Sequence, residues 1–455
     1  MNICIVGIGK IGSALAERLA GEGHDITVID SNEKAVETVT NTLDVIGYIG
    51  NGATYQVQQE AGVSSAALVI AATASDEVNM LTCLIAHKLG AKYTVARVRN
   101  PENHSQLHYL REELGLTYVV NPELATAEEI ARILRFPSAN RMELFAKGRA
   151  ELVECRTAPE SVLDGKTLIE AAPIIGSDVL VCAVERARKV FIPFGSFELK
   201  GGDSLYITGT HSALVRAFKK IDMHADRVSS AMIIGGGRIS YYLADILGRS
   251  GIQVKLIEQD EAKAAKLASL LEKTRVLVGD AMDHELLMEE GISNADAFVA
   301  LTGFDECNIL SSAYARQNNV RKVITKVNKA NLYGLAENLG LDSIVSAKET
   351  TADLILGYVR ALCASEDSAN VELLYSLAGG RVEALEFKAP DSAPYLEKPF
   401  AELKLKKDLL IACIIRGRKT IIPRGSDYIK NGDRVIVVTT GQRLTKLGDI
   451  LEQAR

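Results

Sequence analysis

Much of what would assign this chain to a familiar class is missing from it. No apolar run approaches the roughly 18 residues needed to span a bilayer. The seven cysteines are scattered, with no C-x-x-C pair, which suits a reducing compartment. Cys4 and Cys182 sit inside apolar strand-like runs, where buried packing is the expected role. No concentrated basic segment offsets a net charge of −6, which argues against a nucleic-acid partner. Met1-Asn2 runs straight into a strand-like segment, without the basic region and cleavage site of a secretory leader. No serine–histidine or cysteine–histidine arrangement suggests a nucleophile. His104 and His108 stand at i, i+4, but no third ligand accompanies them, and a surface pair is the simpler reading. The expectation is a soluble chain that could still dock on a membrane protein.

What is present is a repetition. The chain has 455 residues, 47% of them hydrophobic and 24% charged, enough for about three or four ordinary domains. Ile3-Cys4-Ile5-Val6 enters Gly7-Ile8-Gly9-Lys10-Ile11-Gly12, and a helical run follows. Farther on, Met232-Ile233-Ile234 enters Gly235-Gly236-Gly237-Arg238-Ile239-Ser240 in the same way. Asp30 ends the next strand-like run of the first copy, and Glu258 takes that place in the second. Thr73, Asp76, Glu77 and Asn79 reappear as Thr302, Asp305, Glu306 and Asn308. Gly50-Asn51 becomes Gly279-Asp280, and Arg97 becomes Lys326. The stretch 189–204 pairs with 419–434, with eight of sixteen positions identical. A period this long is no solenoid; a whole two-part module has been copied end to end.

The organisation follows from the alternation of runs. In 1–135 the apolar runs Ile3–Val6, Ile26–Ile29, Leu68–Ala72, Tyr93–Val98 and Tyr118–Val120 are separated by stretches of helical spacing. Such alternation predicts an α/β, Rossmann-type parallel sheet with helices on both faces. Residues 228–362 repeat it. Asn121-Pro122 opens a further helix, Glu123–Arg135, since proline suits a first helical turn; Lys348–Leu362 corresponds to it. Both carry apolar residues along one face (Ile130, Ile133, Leu134; Leu354, Ile355, Val359, Leu362), either as ordinary core or because the helices cross to a neighbouring module. Residues 140–222 and 370–455 hold shorter strand-like runs broken by turn signals such as Gly202-Asp203 and Gly432-Asp433. Each is a small α+β unit. Four domains result: two Rossmann-like units, each followed by a small one.

The glycine loops carry the chemistry. Gly7 permits the strand-to-helix turn, Gly9 lets a pyrophosphate approach the backbone, and Gly12 lets helix and strand pack closely. The helix N-terminus then offers unpaired N–H groups to phosphate. Lys10 either adds a point charge or is a solvated surface lysine. Asp30 stands where an acid accepts the adenosine ribose hydroxyls and repels a 2′-phosphate, which favours NAD or another adenine nucleotide over NADP. The second loop, with Gly235 and Gly237, departs from the pattern. Ser240 replaces the third glycine and crowds the helix–strand approach, while Arg238 and Glu258 keep the character of Lys10 and Asp30. Weaker binding, or a structural relic, is expected there. Asp76-Glu77 could hold a cation, but acids at a helix start also interact favourably with its dipole.

The ordered set Gly-Ile-Gly-Lys-Ile-Gly, Val-Ile-Asp30, Gly50-Asn51-Gly52-Ala53, Thr73-x-x-Asp76-Glu77-x-Asn79 and Ala96-Arg97-Val98-Arg99-Asn100-Pro101 resembles the RCK/KTN nucleotide-binding family. Its duplication over essentially the whole chain is similar to the regulatory subunits of bacterial Trk potassium-uptake systems. The resemblance implies rings beneath a membrane channel or transporter that bind NAD(H), or ATP and ADP, and gate ion flow. It implies a homotetramer, a TrkH- or TrkG-type potassium-translocating partner at the cytoplasmic face of the membrane, and no enzymatic activity. It also implies that Gly7, Gly9, Lys10, Ile11 and Gly12 hold phosphates and Asp30 the ribose. Asn51, Gly52 and Ala53 would lie on the adenine side, and Thr73, Asp76 and Arg97 would line the rest of the cleft. Gly235, Gly237, Arg238, Glu258, Asp280, Thr302 and Asp305 would be the second set. Two rival readings are an NAD-dependent oxidoreductase, which would need a substrate domain with an aligned acid or base, and a scaffold whose sites have decayed.

Overall fold

A computed structural model describes residues 1–136, 138–222, 228–341, 343–366, 371–442 and 444–452. The side chains of 102, 104, 105, 108, 364–366 and 379 lie outside that description, and the pair His104 and His108 with them. Among the described residues, no helix is long and apolar enough to cross a membrane.

The first 120 residues form a six-stranded parallel sheet in the spatial order Ile46–Ile49, Asp25–Asp30, Asn2–Val6, Leu68–Ala71, Tyr93–Arg97, Tyr118–Val120. The central strands are apolar throughout because helices cover both faces. Ile3–Val6 and Leu68–Ala71 are buried at every position. The edge strand Ile46–Ile49 is mostly exposed, which is why its apolar signal is weak. The second half repeats the sheet with strands Thr274–Val278, Gln253–Glu258, Ser230–Ile234, Ala297–Ala300, Lys322–Lys326 and Ser343–Val345. Two five-stranded antiparallel sheets follow the same plan as each other. One runs Arg141–Phe145, Ala150–Arg156, Ser204–Gly209, Val179–Arg186, Lys189–Phe191, and the other Val371–Leu377, Val382–Lys388, Arg434–Thr439, Leu409–Arg416, Lys419–Ile421. The fold is thus two Rossmann-like parallel sheets, each with a small antiparallel partner.

The helices after the parallel sheets change sides. The first, Pro122–Arg135, is capped by the Asn121 side chain, whose Oδ1 accepts from the Leu124 amide at 3.0 Å. Its apolar face, with Ile130, Ile133 and Leu134, shares one core with Leu243, Ala244 and Leu247 of the helix Arg238–Arg249 in the other half. The second, Ala347–Glu366, buries Ile355, Val359 and Leu362 in the core that contains Leu15 and Leu19 of the first-loop helix, Lys10–Gly21. Tyr358 stacks on Tyr118 with ring centroids 4.6 Å apart. Of the two readings of these apolar faces, crossing to the neighbouring module is what the structure shows. The small sheets also meet face to face: Phe145, Cys182 and Tyr206 pack with Val382, Ala384, Cys413 and Val438. Burial pushes the Cys4 thiol up to about 12 and raises that of Cys182 as well, so both are packing residues that stay protonated near neutral pH.

Candidate functional site

The two glycine loops are built alike. Gly7 and Gly235 adopt φ of +95° and +86°, where a side chain would be strained. A Cβ on either would also stand within 3 Å of the backbone of Thr73 or Thr302. Gly9 and Gly237 cap the loop helices, and nothing lies within 4 Å of where their Cβ would be. This open space above helix N-termini fits a pyrophosphate group. A Cβ on Gly12 would come within 1.9 Å of the Gly7 carbonyl oxygen. Ser240 solves that crowding differently, since its hydroxyl donates to the Gly235 carbonyl oxygen. Lys10 and Arg238 are exposed at the helix starts, whereas Ile11 and Ile239 turn into the core.

The acids at the second strand ends diverge. Asp30 accepts from the Ile8 amide at 2.6 Å and the Asn32 amide at 2.8 Å. It remains half-buried, with no cationic partner among the described residues. Glu258 accepts from the Gly236 amide at 2.7 Å and the Asp260 amide at 3.0 Å. It is only 6% exposed, and Lys263 Nζ donates to its Oε2 at 2.7 Å. Burial works against its charge, but the Lys263 ammonium and the two amides outweigh it, and the carboxyl is held below its usual range. Ala35 occupies the place of Lys263 in the first half.

The remaining residues fall into two kinds. Asn51 is exposed and turns the chain through its Oδ1, which accepts from the Ala53 amide at 3.0 Å. Asp280 does the same for Met282 at 2.9 Å. Gly52 packs under Val6, where a Cβ would come within 2.1 Å of that side chain. Asp76 and Asp305 are buried, and their Oδ2 atoms hold the following loop. Asp76 accepts from the Arg99 and Asn100 amides at 2.9 and 2.7 Å, and Asp305 from the Asn328 and Lys329 amides, both at 2.9 Å. Asn79, whose role sequence reasoning missed, is wholly buried. Its side chain accepts from the Thr73 amide and hydroxyl at 2.8 and 2.7 Å and donates to the Arg97 carbonyl at 2.8 Å. Asn308 repeats this clip on Thr302 and Lys326. The repetition of both asparagines in the motif was the available signal.

Arg97 and Lys326 lie where the halves meet. Arg97 Nη1 donates to the Thr73 carbonyl at 3.3 Å, and its Nη2 is 3.9 Å from Glu123. Burial lowers the pKa of Arg97, with the Arg99 and Arg238 guanidiniums acting the same way and Glu123 opposing. Burial also lowers that of Lys326; Asp305 and Glu123 oppose, and Lys10 adds to the fall. Each cleft cation therefore feels the other half's glycine loop. Tyr242 bridges the halves: Asn121 Nδ2 donates to its hydroxyl at 2.9 Å, and the hydroxyl donates to the Arg99 carbonyl at 3.3 Å.

A doubly repeated glycine-loop sheet, followed each time by a small antiparallel sheet, defines a class of duplicated dinucleotide-fold proteins. The TrkA-N domain model matches residues 3–122 and 231–347, and the TrkA-C domain model matches 152–222 and 384–452. The chain belongs to the TrkA family. It is 32% identical to the Trk system potassium uptake protein TrkA homolog 1 of Methanosarcina mazei, over 96% of this chain and 97% of that protein. It is 32% identical to the TrkA homolog of Archaeoglobus fulgidus, over 99% and 100%, and 30% identical to TrkA of Haemophilus influenzae, over 97% and 96%. The crystal structure of the GsuK RCK domain superposes with a TM-score of 0.64 at 21% identity, covering 97% of this chain and 92% of that one. The GsuK channel bound to NAD gives 0.63 at 21%, covering 97% and 77%. At that identity the likeness speaks for the RCK fold.

Proposed function

We propose that this protein is the cytosolic regulatory subunit of a Trk-type potassium-uptake system. It binds NAD(H), or ATP and ADP, at the first glycine loop and gates a TrkH- or TrkG-type membrane subunit without turning the nucleotide over. The relatives' names support the transport role, and the GsuK structures named as bound to NAD and to ADP support the ligand class. In this reading Gly7, Gly9, Lys10 and Gly12 hold the phosphates and Asp30 the ribose hydroxyls. Asn51 and Ala53 flank the adenine, and Arg97 faces the cleft from the far side. Asp76 and Thr73 act through the loops they hold.

One observation carries the proposal. The helix that would receive the phosphates at its N-terminus is clamped at its other end to the second crossover helix. Arg18 Nη1 donates to Asp353 at 2.7 Å, and Arg18 also pairs with Glu349. Arg360 Nε donates to Glu22 at 3.0 Å, while its Nη1 and Nη2 donate to Glu383 at 2.9 and 2.8 Å. Glu383 belongs to the second small sheet. A ligand can shift a partner only by favouring one arrangement over another, and this clamp connects the first loop to the parts that could rearrange. Calorimetry on a Ser240→Asp variant, which isolates the first loop, should show NADH binding well ahead of NADPH. Equal affinity would remove Asp30 from the ribose. Light scattering should give a homotetramer, and membrane pull-down a potassium transporter. A monomer whose small-angle scattering ignores NADH and ATP would leave gating without support.

A further inference from the structure

The second loop presents a cation where the first presents an acid. Glu258 is buried and its Oε2 is covered by Lys263, so ribose hydroxyls cannot take the place they would take at Asp30 without displacing an ammonium. Beside it opens a cavity of about 510 Å³ between Gly237 and Arg238 on one side and Lys263 and Lys266 on the other. Asn100 and Pro101 of the first half contribute to its wall. In the first half, Ala35 and Thr38 stand where Lys263 and Lys266 stand here, so this basic lining is particular to the second loop. Lysines bind phosphate as point charges, and a cation beside the ribose acid is what accommodates a 2′-phosphate in folds of this type.

We propose that the second loop is a site for an adenine dinucleotide whose ribose carries a phosphate, of the NADP(H) type. Lys263 and Lys266 bind that phosphate, Arg238 and the Gly237 turn bind the pyrophosphate, and the Asn100–Pro101 turn of the first half closes the pocket. This rests on the reading of the glycine loops as nucleotide sites, and it gives the two loops opposite selectivity. A ligand seated here touches both halves at once, so the site depends on the helix-crossed arrangement and is incomplete in an isolated second half.

The test uses the full chain carrying Gly12→Asp, which silences the first loop, titrated calorimetrically with NADPH and with NADH. NADPH should bind roughly tenfold tighter or better, as expected for an added charge-assisted contact. Lys266→Ala, at an exposed position, should lower NADPH affinity by roughly tenfold, with an unchanged thermal melt and unchanged NADH binding when Gly12 is intact. Lys263→Ala should act in the same direction. Equal affinity for NADH and NADPH, or full NADPH affinity in Lys266→Ala, overturns the proposal. If the Gly12→Asp chain binds neither dinucleotide while the unmutated chain binds NADH, the proposal fails and the first-loop reading stands. If the unmutated chain ignores NADH but Gly12→Asp takes NADPH, the first-loop reading fails and this one stands.

Discussion

The two Rossmann halves share a backbone plan and differ in how they are fastened. The first half is tied to the second crossover helix by ion pairs: the partly exposed Arg18 to Glu349 and Asp353, and the largely buried Arg360 to Glu22 and Glu383. The second half meets the first crossover helix through an apolar seam, with Ile246 and Ser250 where Arg18 and Glu22 would stand. The acids beside the loops differ in the same spirit, since Asp30 is half-buried and holds two backbone amides, whereas Glu258 is buried under a lysine. Apolar contact is tolerant of small shifts, whereas buried ion pairs have few acceptable geometries. The ionic half is therefore the one suited to two discrete states, and the apolar half to serving as its base. The small sheets add to the contrast. The first is covered by its own helices, Leu168–Ile175 and His211–Lys220, whereas the second shares a core with the crossover helix and the first half.

The largest expected effect breaks the ionic clamp. Arg360→Ala leaves Glu22 and Glu383 facing each other in a largely buried site and should cost about 3–5 kcal/mol, seen in chemical denaturation. Arg135 stands at the matching end of the first crossover helix, and among the described residues it reaches the Ser250 hydroxyl, at 3.3 Å. Its replacement by alanine should be barely measurable. Comparable losses at both would erase the distinction between the halves. Next come the loops themselves. Gly12→Asp forces a side chain onto the Gly7 carbonyl and should weaken NADH binding by roughly a hundredfold, the upper range of what displaced backbone costs. Ser240→Asp should leave that binding intact. An exchange of these two results would reverse the ranking of the sites.

Much of this was legible from residues. The duplication, the central strands and the glycine loops are local patterns, and periodicity reports them directly. The edge strand Ile46–Ile49 was not, because an edge position with Gly47 tucked under Val36 and Thr40 demands little apolar sequence. The crossing of the helices could only be offered as one of two readings, since an apolar face does not say which neighbour covers it. Glu258 looked like an equivalent of Asp30 because strand position is visible in sequence, whereas a lysine folding back from the next helix is not. A third measurement sharpens that point. Asp30→Asn keeps an acceptor but removes the charge that opposes a 2′-phosphate, so NADH affinity should fall by less than roughly tenfold while the preference over NADPH disappears. Glu258→Gln should leave first-loop binding unchanged. Loss of NADH binding in Glu258→Gln would mean that the buried acid shapes the first site too.

The smallest effect concerns the pair that separates the two acids. The Glu258 carboxyl is held below its ordinary range: burial opposes the charge, and the hydrogen bonds from Lys263, Asp260 and Gly236 prevail. A carboxyl lowered on folding binds fewer protons in the native state than in the unfolded one. Its contribution is therefore complete above the unfolded value of about 4.3 and is lost as pH falls through the lower folded value. Lys263 is half exposed, so the pair is worth at most about 1 kcal/mol. Lys263→Met should lower the melting temperature by a few degrees or less at pH 7, and the gap from the unmutated chain should close as the pH drops through the acid range. In the first half Asp30 has no such partner among the described residues, and Ala35→Met should show a difference that does not change with pH. A gap at Lys263 that persists unchanged in acid would mean that the lysine does not cover Glu258, and the second loop would then present the same acid to a ribose as the first.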